Sequence, residues 1–164
     1  MIPIFFKVTH EGVGFSASEW RALLREAWRH AGVHWHQALM PKHFTVAAEK
    51  EYGYQSRDGA YTRRKARLFG HRKPLVFRGT LEAACRRVMD VRENARAGEG
   101  GVAVYLHGPR HLYGYHKNFD QPDKAAEIRA FSSGDKEAIY AVLDRRLDRA
   151  IERADRGGRI GAVA

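Results

Sequence analysis

The sequence predicts an α+β fold: a small, mostly antiparallel sheet with an N-terminal amphipathic helix, an extended basic arm and a long C-terminal helix. Three observations carry that prediction. Apolar residues recur at helical spacing over 20–31 and again over 139–151. Short runs rich in β-branched and aromatic residues, at 2–9, 75–77, 102–106 and 127–131, read as strands between turn signals. Between the two helical regions lies the basic stretch 54–79, which carries Arg57, Arg63, Arg64, Lys65, Arg67, Arg72, Lys73 and Arg78 against a single acid, Asp58. Tyr54, Tyr61, Phe69 and Phe77 are threaded between those charges.

At 164 residues the chain is long enough for one domain with its own core, expected over 1–156, with 157–164 as a flexible tail. Lysine and arginine number 29 against 19 acids, a formal net charge of +10. That excess favours an anionic neighbour: nucleic acid, an acidic protein surface or a layer of lipid headgroups. Cys85 is the single cysteine, which excludes an intramolecular disulfide and a four-cysteine zinc site. The apolar start, 1–7, is interrupted by Pro3 and Lys7 and no cleavage signature follows, so no signal peptide is expected. No apolar run approaches the roughly 18 residues of a membrane helix. The expectation is a soluble protein made in a reducing cytoplasm.

Taken in order, 2–9 reads as a strand, with Pro3 suited to an edge. Gly12 and Gly14 mark a turn. Residues 16–19, Ser-Ala-Ser-Glu, form a capping box. Trp20, Leu23, Leu24, Ala27, Trp28 and Ala31 then make one apolar face opposite Arg21, Arg25, Glu26 and Arg29, and Gly32 ends or bends this helix. Residues 33–40 carry a further helical turn or two before Pro41. Thr45 is expected to cap a helix over 45–52 that Gly53 stops. Residues 56–59 form a turn, and 61–69 is either a short basic helix or an extended arm. A strand over 75–77 precedes a helical turn capped by Thr80. Strands over 86–92 and 102–106 flank a hairpin loop at 97–101, and 108–120 is loop. A strand over 127–131 runs into a helix capped within 133–135, whose buried stripe is Ile139, Val142, Leu143, Leu147 and Ile151. Gly157 and Gly158 end it.

Weighed as chemistry, these residues support no catalytic constellation. His30 and His34 fall at i, i+4 if the first helix passes Gly32, a spacing used by zinc, and His36 and His43 lie nearby. They lack the metalloprotease glutamate and a neighbouring cysteine, so histidines without metal are the expectation, with a hydrolase built on His30, His34 and His43 as the weakest alternative. Glu49, Glu51, Asp58, Asp90 and Glu93 show no spacing suited to a magnesium site. Cys85 reads as a buried thiol, and 98–101 as a hairpin loop rather than a phosphate cradle. No cofactor is expected. The basic stretch carries no zinc-finger, RNP-type or helix-turn-helix signature. It therefore reads as a docking arm, with a nucleic-acid-binding module using 57–78 as the alternative.

The arm 61–65 (Tyr-Thr-Arg-Arg-Lys), the passage 71–81 with its His-Arg-Lys-Pro-Leu-Val-Phe and Gly-Thr-Leu, and the 126–131 segment before a C-terminal helix resemble the tail-completion and neck proteins of tailed phages. The resemblance extends over about 16–153. It implies a non-enzymatic subunit of a ring, commonly six-fold, at the head–tail junction of a virion made in a bacterial cytoplasm. Its neighbours would be a connector or portal-side protein and a tail-tube or terminator protein, around the DNA channel, with no membrane. Arg57, Tyr61, Arg63, Arg64, Lys65, Arg67, His71, Arg72 and Lys73 are the expected partner interface. Arg63, Arg64 and Lys65 are the candidate contacts to channel DNA. An apolar edge strand in need of cover and an arm of aromatics and arginines, the composition of interface hot spots, point independently toward assembly.

Overall fold

The computed structural model describes residues 2–5, 15–76, 78–87, 89–93, 101–106 and 123–156; for 2–5, 89–93 and 101–106 it describes the backbone alone. Of the residues with described side chains about 75% are helical and none lies in a strand. The described residues are mostly helical, so the α+β expectation built around a small sheet is overturned; the strands described are three short ones. The reasons are local. Several stretches that look β-like by composition carry a side chain that caps a helix or a residue that forces a turn. The hairpin loop at 97–101 and the loop at 108–120 fall wholly or largely outside the described residues, as do the turn at Gly12 and Gly14 and the tail from 157.

The chain divides into two compact units, Met1–His34 with Asp90–Tyr105 and Lys136–Ala164, and Trp35–Met89 with Leu106–Asp135. In the first, β1 (Ile2–Phe5) pairs antiparallel with β3 (Gly101–Leu106), Ile2 opposite Val104 and Phe5 opposite Gly101. With β2 (Met89–Glu93) the order is β1-β3-β2.

Helix α1 (Ala17–His34) begins at the capping box: the Glu19 amide donates to Ser16 Oγ at 3.3 Å, and the Ser16 amide donates to Glu19 Oε2 at 2.9 Å. Phe15 stacks on Trp20 with ring centroids 6.2 Å apart, the residues just outside and four inside the helix start, which is a hydrophobic staple. Ala27, Trp28, Ala31 and Gly32 are buried, and the helix continues through Gly32 without a break. Helix α6 (Ser133–Arg156) buries Ile139, Val142, Leu143, Leu147 and Ala154. Each such aliphatic side chain contributes about 1.5–3 kcal/mol on transfer from water.

The second unit is centred on two tight turns. Trp35–Leu39 is π-helical and Met40–Phe44 is a 3-10 helix. Pro41 has no amide to donate, so the α-helical ladder cannot run on through it. The wider turn followed by the tighter one buries Trp35, His36, Leu39, Met40, His43 and Phe44. Against the 3-10 segment pack α2 (Ala48–Glu51), α4 (Thr80–Arg87) and α5 (Lys124–Ile128). Trp35 also meets Phe131, centroids 6.0 Å apart.

Four local expectations are corrected. Thr45 does not cap a helix start; its hydroxyl donates to the Lys42 carbonyl at 2.8 Å and closes the 3-10 turn, so α2 is shorter than 45–52. The basic arm is helix, not extended chain, from Gly59 to Phe69 (α3). Leu75 has φ 56° and the Val76 amide donates back to the Pro74 carbonyl at 2.6 Å, a three-residue turn where a strand was expected. Residues 127–131 do not form a strand either. Asp123 accepts hydrogen bonds from the amides of Ala125 and Ala126, both at 2.9 Å, and starts α5, which takes in Glu127 and Ile128 before a turn at Arg129.

Candidate functional site

The Asp58 side chain accepts a hydrogen bond from the Tyr61 amide at 3.0 Å and starts α3. Gly70, at φ 69°, ends it in the left-handed conformation, with its amide donating to the Ala66 carbonyl. A helix turns about 100° per residue, so Arg63, Arg67, Ala60, Arg64, Leu68 and Tyr61 follow one another around one arc, and all are exposed. Lys65, Phe69, Thr62 and Ala66 occupy the other side and are buried or half-buried. Leu68 is 54% exposed. Among the described residues no ion pair engages Arg63, Arg64 or Arg67.

Three residues expected at the interface have internal roles. Lys65 is buried at 3% exposure and its Nζ donates to the Lys73 carbonyl, tying the helix to the chain that follows it. It lies 5.7 Å from the centre of the Tyr61 ring. Burial, and then the Arg57 charge, lower its pKa. Lys65 is therefore withdrawn from the candidate DNA and partner contacts: its stem lies inside and its ammonium is already engaged. Arg57 is half-buried and donates to Glu127 Oε2 at 2.5 Å, with a second contact to the Gln55 carbonyl at 3.1 Å. His71 is half-buried against Phe69, centroids 6.3 Å apart. Arg72 and Lys73 are exposed.

Behind the arm lies a polar core that the sequence reading missed. His43, fully buried, stacks on Tyr52 with centroids 3.9 Å apart and planes 12° from parallel. Its Nδ1 shares a short hydrogen bond with the Tyr54 hydroxyl. Burial pushes the pKa of both tyrosines well above the ordinary phenol value. Tyr54 therefore keeps its proton, and its hydroxyl and Nδ1 share one hydrogen between them. Nε2 has no hydrogen-bond partner among the described residues. Burial lowers the pKa of His43 to about 4, against a smaller opposing pull from Asp135.

Asp135, also fully buried, accepts from Lys42 Nζ at 3.1 Å and from the Ser132 amide at 3.4 Å, while its own amide donates to Ser132 Oγ at 3.1 Å. The cap of α6 is thus Ser132, one residue before the expected start. The sequence signal for this core was the Tyr-Gly-Tyr at 52–54, whose two tyrosines flank a glycine at φ 64° and so both turn inward.

The other described histidines are dispersed. His30 sits 3.7 Å from Glu26, and His36 Nε2 is 2.8 Å from the Cys85 carbonyl. Among the described residues no group of three histidine, cysteine, aspartate or glutamate side chains is placed to hold a metal ion. Cys85 is fully buried, and burial raises its thiol pKa to about 11, so it is a core residue rather than a nucleophile. No described helix is long and apolar enough to cross a membrane. No family model, curated protein or solved structure matches the chain.

Proposed function

We propose that this protein is a non-enzymatic structural subunit of a tailed-phage virion, of the neck or tail-completion type. It would assemble as a ring, six-fold as the resembled proteins commonly are, between a connector or portal-side protein and a tail-tube or terminator protein. The observation that carries the reading is α3: an arginine-rich helix whose outer arc is exposed, whose inner side is fastened by Lys65 and whose approach is fastened by Arg57. A structured, solvent-facing cationic helix on a packed base has the character of an interface element. In a ring, cyclic symmetry would repeat it around the axis.

The test is to replace Arg63, Arg64 and Arg67 together with alanine. All three are exposed, so the melting temperature should stay close to that of the parent. Head–tail joining should be lost. Joining at parental levels would overturn the role of the arm, and labelled particles lacking this chain at the head–tail vertex would overturn the virion reading.

A further inference from the structure

We infer that the outward arc of α3 docks an acidic protein surface with an apolar floor, rather than nucleic acid. The inference rests on the assembly reading and names the kind of partner its arm would take. The arc has two halves. Arg63 and Arg67 lie one turn apart on one flank, Leu68 and Tyr61 lie on the other, and Arg64 stands between them. No acid occurs from 59 to 78, so the face is of one sign throughout.

A phosphate backbone would satisfy the arginines but would leave Leu68, more than half exposed, against charge and water. The two residues that would have extended a phosphate-binding track are consumed internally, Lys65 by the Lys73 carbonyl and Arg57 by Glu127. A protein groove lined by glutamates or aspartates over a leucine-sized hollow complements both halves at once. The arginine fork also suits bidentate carboxylate contact.

Fluorescence anisotropy on the full chain, at about 0.15 M ionic strength, can compare three probes. They are a helical peptide with a leucine stripe flanked by glutamates, polyglutamate of equal length, and a short DNA duplex. The leucine-striped peptide should bind about tenfold more tightly than polyglutamate, the increment of one buried aliphatic side chain. Leu68→Ser should remove most of that preference, and Leu68→Gln serves if the serine variant folds poorly. Arg63→Glu with Arg67→Glu should abolish binding of both peptides. Duplex binding equal to the peptide's, a preference unmoved by either Leu68 change, or no binding by any probe each overturns the inference. The probes contain no virion component. Failure here therefore leaves the assembly reading to the joining assay, while a failed joining assay with the peptide preference intact overturns the assembly reading alone.

Discussion

His43 lies with no exposed surface against Tyr52 and Tyr54, its Nδ1 hydrogen-bonded to the Tyr54 hydroxyl. A second ring proton would place a charge in a buried site. The folded-state pKa is about 4 against an ordinary 6.5, so as pH falls the unfolded chain takes up the proton first. The stability contributed by neutral His43 is complete above about 6.5 and is lost as pH falls from there toward 4, amounting to about 3 kcal/mol. Urea midpoints of the parent should therefore drop between pH 6.5 and 5, and His43→Gln should flatten that part of the curve. Parallel curves for the two proteins would refute the assignment. Leu75 makes a different residue-scale case. Its φ of 56° is a left-handed conformation that an L side chain adopts at a cost, yet the side chain is buried at 9% exposure. Leu75→Ala loses the packing and keeps the strain, whereas Leu75→Gly loses the packing and relieves it. The glycine variant should be more stable than the alanine variant by about 0.5–1 kcal/mol, the reverse of their usual order. Alanine melting above glycine would show that the turn is unstrained.

At the scale of elements, α3 is held by its partners as much as by its own sequence. Arg57, just before it, closes a largely buried pair with Glu127 on α5, the two side chains 16% and 8% exposed. Arg57→Ala should cost about 3 kcal/mol because it strands a buried carboxylate, and adding Glu127→Gln should restore most of that. Calorimetry showing the single change within 0.5 kcal/mol of the parent, the range of about ±0.5 kcal/mol usual for surface substitutions, would return Arg57 to the interface set. The same pair explains why 127–131 was unreadable. Glu-Ile-Arg-Ala-Phe alternates as a strand does, and what decides otherwise is Asp123 four residues upstream and a guanidinium 70 residues away in sequence. Local devices were legible: the Ser16 and Glu19 box, the face at Ala27, Trp28 and Ala31, and the stripe from Ile139 to Leu147 depend only on neighbours within a few turns. Lys65 was not, since composition cannot tell one lysine of a basic run from the next. Its inward place follows from the helical phase that Asp58 sets. Nor was the core of His43, Asp135 and Lys42, where Lys42 and Asp135 meet across 93 positions.

At the scale of the whole molecule, the +10 charge makes attraction to any polyanion a general property, and the question is how much of it α3 carries. Duplex DNA at low salt should bind with little sequence preference, since no groove-reading motif accompanies the arginine arc. Each phosphate neutralised steepens the fall of log K with log salt by about 0.9, so three arginines correspond to a slope near −3. Changing Arg63, Arg64 and Arg67 to alanine should reduce the measured slope by about that amount if α3 is the main phosphate contact. Arg72, Lys73 and Arg87, exposed outside the substituted arc, would retain a residual slope. A slope unchanged by the triple substitution would assign DNA attraction to other basic surface. It would also separate the two properties that the sequence presents together, a charge excess spread over the molecule and the arginine arc proposed to dock a protein. If the slope falls while affinity at about 0.15 M salt is already negligible, DNA is not the target of this arm.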